Sequence, residues 1–166
     1  MKTGLTYSRA HELLCYDPAT GLLTRRSKSS NSVKVGEIAG CRHPTKGYIS
    51  VYVDGVRYKA HRVAWLMHYG HWPSGQIDHI NCVPDDNRIC NLRVVTNSVN
   101  AENKVRPVTG NTSGLLGVSW MSNAKKWRAQ ICVNKQVKYL GLFAEKEAAH
   151  RAYIEAKRSL HSGCTI

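Results

Sequence analysis

Acidic residues are scarce in this chain: 11 Asp and Glu stand against 24 Lys and Arg, a formal charge of +13 over 166 residues. Such a deficit points to a polyanion as partner, with nucleic acid the leading candidate. Long hydrophobic runs are missing as well. No stretch approaches the roughly 18 residues of a membrane span, and Met1-Lys2-Thr3-Gly4 lacks the apolar core of a secretory signal. The expectation is a cytoplasmic protein with no membrane partner and no obligate protein partner, either a monomer or a weak dimer. The six cysteines, at positions 15, 41, 82, 90, 132 and 164, include no Cys-x-x-Cys pair. In a cytosolic chain they read as reduced, mostly buried thiols. A zinc site can be drawn from Cys41, His43, Cys82 and Cys90, but the spacing matches no zinc knuckle or ribbon. What is present suffices for a core: 42% of the residues are hydrophobic, and the length allows one ordinary domain or two small ones.

The informative stretch runs over residues 76–104. A short apolar run ends in Asp78-His79, a polar turn-rich loop covers 81–88, and a second apolar run passes through Asn91-Leu92-Arg93-Val94-Val95. Thr96 can then cap a short helix carrying Asn97, Asn100 and Asn103. The pattern reads as strand, loop, strand, helix. Phosphodiester hydrolysis needs a base for water and a cation for the developing charge. A neutral histidine, with a free pKa near ~6.5, can take the proton. A carboxylate and an amide oxygen make a hard half-shell suited to Mg²⁺. Asp78 and His79 are adjacent, so an extended strand would aim them to opposite faces; both serve one site only where the strand ends or twists.

This segment resembles the ββα-metal motif of HNH endonucleases, in the branch common among phage homing endonucleases. The matching pieces are Asp78-His79-Ile80-Asn81, then Asp86-Asn87-Arg88, then Asn91-Leu92-Arg93, then the helix with a closing Asn. The signature positions His79, Asn91 and Asn100 lie 12 and 9 residues apart. The resemblance implies His79 as general base, Asp78 and Asn100 as ligands of Mg²⁺ or Mn²⁺, and Asn91 as the brace of the histidine's loop. Asn103, one turn on, is the rival to Asn100. Cys82 stands where the family usually has glycine. Tyr58-x-Ala60-His61-Arg62 and the apolar helix after it also resemble the phage proteins, where this region is a small sheet-and-helix support. Arg62 is a candidate for contact near the scissile phosphate. His61, His68 and His71 read as packing or surface residues.

Ahead of this, Ser8 can cap a short helix over 9–15, and 17–21 make a turn into a strand at 22–24. Residues 25–32 form a basic, serine-rich loop. Residues 48–53 alternate, Asp54-Gly55 turns, and 56–59 return, which is a two-residue hairpin signal. Gly70 closes the helix of 60–69.

Residues 105–112 read as a linker. Strands are expected at 115–121, 126–133 and 138–143, with Asn134-Lys135 as a tight turn. A helix follows, with Ala148, Ala149, Ala152, Tyr153, Ala156 and Leu160 on its apolar face. Lys157 and Arg158 in its last turn suit the helix dipole. Residues 113–161 resemble the AP2 DNA-binding domain through Gly117-Val118, Lys126-Trp127, Tyr139-Leu140-Gly141 and Glu147-Ala148-Ala149. That family brings its sheet to the major groove. Leu116 and Ser119 stand here where plant members carry arginine. The candidates for the DNA face are Trp120, Lys125, Lys126, Arg128, Lys135 and Lys138. Residues 105–166 hold 10 basic and 3 acidic residues, a net +7, against a net +6 over residues 1–104.

The expected architecture is α+β. An HNH nuclease domain spans 1–104, with its ββα-metal core at 74–104 and a small supporting sheet and helix. A linker (105–112), an AP2-like three-stranded antiparallel sheet packed on one helix (113–161) and a tail (162–166) follow. The expected function is a metal-dependent endonuclease that nicks or cuts duplex DNA. The alternatives are a DNA-binding regulator with a non-catalytic HNH-like half, and a structural zinc protein binding RNA.

Overall fold

The computed structural model describes residues 4–28, 33–104, 107 and 110–165. The N-terminal tripeptide, the end of the serine-rich loop (29–32), half of the expected linker (105, 106, 108 and 109) and Ile166 lie outside the described residues. The chain divides into two compact units, Met1–Val95 and Thr96–Ile166. Among the described residues the secondary structure is mixed: four helices and four small antiparallel sheets.

The first unit opens with α1 (Tyr7–Leu13) and the hairpin of β1 (Leu14–Tyr16) and β2 (Leu23–Arg25). The cap of α1 is Thr6, whose hydroxyl accepts from the Arg9 N–H; Ser8 lies inside the helix, and Cys15 belongs to β1. Thr6 and Ser8 are equally good caps by residue type. Leu14 settles the register, because burying it as the first strand residue ends the helix two residues earlier.

β3 (Cys41–Arg42), β4 (Ile49–Val53) and β5 (Val56–Lys59) form a three-stranded sheet. Asp54 and Gly55 both take positive φ in the turn between β4 and β5, the geometry that matches strand twist in a two-residue hairpin. Next comes α2 (Ala60–Tyr69), closed by Gly70 at φ 81. One side of α2 puts Val63, Leu66 and Met67 into a core with Leu14, Leu23, Val51 and Val53. Ala64, on its other side, packs with Ile77 and Leu92. Those two residues belong to β6 (Gln76–His79) and β7 (Leu92–Val95), a paired hairpin joined by a long loop. A helix buried on both sides thus fixes the hairpin that carries Asp78 and His79.

The second unit contains α3 (Asn97–Glu102), then β8 (Val118–Met121), β9 (Lys126–Val133) and β10 (Gln136–Phe143) in the order β10-β9-β8, then α4 (Lys146–Leu160). Val118, Ala129 and Ala149 form its core, with Trp127, Leu140 and Phe143 against them. β8 starts three residues later than the sequence suggests. Gly117 sits at φ +71 with the Tyr153 ring 1.9 Å from where a Cβ would be, so the chain turns there before it can extend.

Two sequence expectations are corrected. The cysteines are not mostly buried: Cys15, Cys41, Cys90 and Cys132 are exposed, and Cys82 and Cys164 are half-buried. They lie on turns and on the outward side of short strands, where small sheets have no second layer to cover them. The buried stripe of α4 is Ala149, Tyr153 and Lys157, whereas Leu160 is exposed. Apolar periodicity extends the stripe to Leu160 but has no means of seeing that a backbone carbonyl waits for Lys157.

Candidate active site around His79

β6 ends at His79, and the next residues turn away, so the strand stops where the two adjacent side chains need it to. Asp78 pairs with Arg93 across the hairpin and His79 with Leu92. Both Asp78 and His79 are buried, at 6% and 4% exposure. The Arg93 guanidinium donates through Nε to Asp78 Oδ2 at 2.9 Å, with Nη2 at 2.8 Å from the same oxygen. A buried carboxylate needs such a partner.

His79 Nε2–H donates to Asn87 Oδ1 at 3.2 Å. In that tautomer Nδ1 keeps the lone pair. Burial pushes the His79 pKa down, partly opposed by the Asn87 hydrogen bond and by Asp78, Asp86 and Asp85. The ring is therefore neutral at pH 7, the form a proton acceptor requires.

The loop that carries these groups is laced from within. Asn91 Oδ1 accepts from the Asn81 N–H at 2.9 Å, and Asn91 Nδ2 donates to the Asp86 carbonyl at 2.8 Å. Arg88 and Asn81 both donate to the Asp86 carboxylate, whose pKa falls to about 2, chiefly through Arg88. Cys82 takes φ 59, the left-handed region where glycine is the easy occupant. From outside, the β1–β2 turn holds Asn87. Tyr16 Oη donates to the Asn87 carbonyl at 2.7 Å, the Ile89 N–H donates to the Pro18 carbonyl at 3.2 Å, and Gly21 leaves 2.4 Å between its missing Cβ and Arg88 N.

Two aromatic rings adjoin His79. The His61 ring is 5.1 Å away, edge-on, and the Tyr48 ring 5.8 Å away. His61 is buried, its pKa lowered to about 3 by desolvation first and by His79, Lys59 and Arg62 after it. Sequence reading placed His61 in a packing role and did not bring it to His79. Asn87 appeared only as a motif letter, with nothing to show that its amide meets the imidazole. Arg62 Nη1 and Nη2 donate to the Gly75 and Pro73 carbonyls at 3.0 and 3.4 Å, ahead of β6.

Asn100 and Asn103 lie in the second unit. Asn100 is a half-buried residue of α3, and Asn103 is its C-cap, 3% exposed, with Oδ1 accepting from Thr165 Oγ1. Thr96 caps the helix, accepting from Val99 N–H.

The candidate DNA residues of the three-stranded sheet do not share one face. By register, Lys126 and Arg128 lie on the side away from α4, with Ser119, Gln130 and Tyr139. Trp120 pairs with Trp127, and Lys138 with Ile131, on the α4 side. Lys125 and Lys135 occupy turns at φ 48 and 65. Tyr139, 62% exposed, joins the open face just before a bulge at Gly141, which interrupts the alternation that would have disclosed it.

A divalent ion with few protein ligands fits what the chain offers. Among the described residues no three His, Cys, Asp or Glu side chains cluster in a metal-holding group. Asp78 supplies one buried carboxylate, a hard oxygen donor of the kind Mg²⁺ takes, and leaves most positions to water and phosphate. Also among the described residues, no helix is long and apolar enough to cross a membrane.

A family model described as HNH endonuclease matches residues 58–102, the span from β5 through α3. Over 78 residues the chain is 37% identical to Protein 3.8 of Escherichia phage T7, an alignment that covers 45% of this chain and 64% of that protein. No solved structure matches.

Proposed function

We propose that this protein is a metal-dependent endonuclease that hydrolyses phosphodiester bonds in duplex DNA. The observation that carries the reading is a buried, neutral imidazole, His79, at the end of β6, oriented by Asn87 in a loop laced by Asn91, inside the segment that matches the HNH family. His79 Nδ1 takes a proton from the attacking water. Asn87 keeps the opposite nitrogen protonated and the ring fixed. Asn91 holds the loop that supplies Asn87. Asp78, which accepts from Arg93, and Asn100 are the residues that would hold Mg²⁺ or Mn²⁺, and the ion would supply charge neutralisation at the phosphate. Asn103, whose amide oxygen accepts from Thr165 Oγ1, is the rival ligand one turn on. The open face of the β8–β10 sheet, with Lys126, Arg128 and Tyr139, holds the DNA backbone in the manner of an AP2-like module, and the enzyme is of the homing type.

The test is supercoiled plasmid incubated with Mg²⁺ or with EDTA. Cutting with the metal and none with the chelator is expected, and His79→Ala should lose at least ~10²-fold in rate while binding DNA as before. Plasmid bound but uncut in Mg²⁺ and Mn²⁺ assigns the protein to DNA-binding regulators instead.

A further inference from the structure

α3 is only six residues long and buries none of them. Isolated helices below about 12 residues are marginal in water, so its position has to come from partners. Those partners lie some sixty residues downstream. Lys157 Nζ, 1% exposed, donates to the carbonyl of Lys104, just past the end of α3. Ser162 Oγ and the Gly163 N–H donate to Glu102 Oε2 at 3.3 and 3.2 Å. Thr165 Oγ1 donates to Asn103 Oδ1 at 2.5 Å. Gly163 passes so close that a Cβ there would stand 2.4 Å from Val99 O. A buried ammonium is costly unless hydrogen-bonded, and the Lys104 carbonyl at the negative end of α3 gives the lysine on the core side of α4 an acceptor.

We propose that residues 157–165, the last turn of α4 and the segment after it, form a strut that fixes α3 and thereby positions Asn100. The role of Asn100 as a metal ligand rests on the reading above; the grip on α3 does not. The C-terminal module then has a second task beside holding DNA, and Lys157, Glu102 and Gly163 are positioning residues for Asn100.

The experiment uses the full chain with Lys157→Met, Gly163→Ala, Glu102→Ala and Glu102→Gln, read in two ways. Amide hydrogen exchange follows Asn100 and Asn103, whose N–H groups bond to Thr96 O and Val99 O, against amides of β9. In the Met and both Ala variants the α3 amides should exchange at least about tenfold faster, the loss expected for one charged hydrogen bond, with β9 unchanged. Plasmid cleavage is titrated with Mg²⁺ in parallel. Half-maximal cutting should need about tenfold more metal in the same variants, with DNA binding in EDTA unaltered. Glu102→Gln, which keeps an oxygen acceptor, should behave as wild type in both. Unchanged exchange in α3 overturns the strut, whatever the cleavage. Faster exchange with an unshifted metal requirement overturns the link to Asn100. A wild-type protein that cuts nothing, with α3 still loosened in the variants, sinks the nuclease reading and leaves the strut standing. If Gly163→Ala fails to fold, the Lys157 and Glu102 variants decide.

Discussion

His61 carries a polar atom, Nδ1, that is buried with no hydrogen-bond partner among the described residues. The ring stays because it is neutral and flat, packed edge-on to His79 and against Tyr48. Its pKa of about 3 in the fold lies well below the ~6.5 of an unfolded histidine. Between those values the unfolded chain binds a proton that the folded chain refuses. Stability is therefore full above pH ~6.5 and falls as the pH drops below it. By pH 4 the deficit from this residue reaches up to about 3 kcal/mol. His79, shifted the same way by burial, adds to it. Urea unfolding from pH 7 to 4 should show this acid limb, and His61→Phe, which fills the space without a titrating group, should flatten it. A limb of the same depth in the Phe variant would mean that other groups cause it. Asn91 can be judged by its two backbone partners. Asn91→Ala leaves the Asn81 N–H and the Asp86 carbonyl unmatched and should cost about 1–3 kcal/mol. Asn91→Asp keeps the acceptor half and should cost less in the same denaturation assay.

At the scale of elements, the turn between β1 and β2 supports the site although it lies some sixty residues from His79. Gly21 sits at φ +77 with backbone of Asn87 and Arg88 inside 3 Å of a would-be Cβ. Gly21→Ala should push the loop outward, loosen the Asn87 amide from His79, and lower cleavage along with the melting temperature. A variant with wild-type melting and wild-type cutting would show that the turn is not a support. The cap of α1 gives a cleaner measurement. Thr6→Ala should cost about 1 kcal/mol, whereas Ser8→Ala, inside the helix, should cost nothing or gain slightly because alanine is the better helix former. Equal losses at both positions in thermal melts would contradict the Thr6 cap.

For the molecule as a whole, a charge of +13 would make the proposed DNA affinity strongly salt-dependent whatever the sequence bound. Lys126→Gln with Arg128→Gln, both on the open face of the β8–β10 sheet, should reduce the slope of log K against log salt by about 2 if each meets one phosphate. Trp120→Ala and Lys138→Gln, on the α4 side, should alter it less; the reverse order would move the DNA to the other face. Much was legible before any coordinates. The Asp54-Gly55 hairpin, the Gly70 stop, the Thr96 cap and β9 follow from local chemistry, since turn residues and period-2 alternation act over a few positions. The Asp-His-Ile-Asn run likewise marks the strand end at His79. What the sequence left open are pairings across long separations. That Asn87 meets His79, that His61 adjoins it, that Lys157 turns inward while Leu160 turns out, and that four of the cysteines stay exposed depend on which surfaces are brought together. Local propensity acts through the backbone of near neighbours and fixes the elements; burial and hydrogen-bond satisfaction act through space and are settled only when those elements pack.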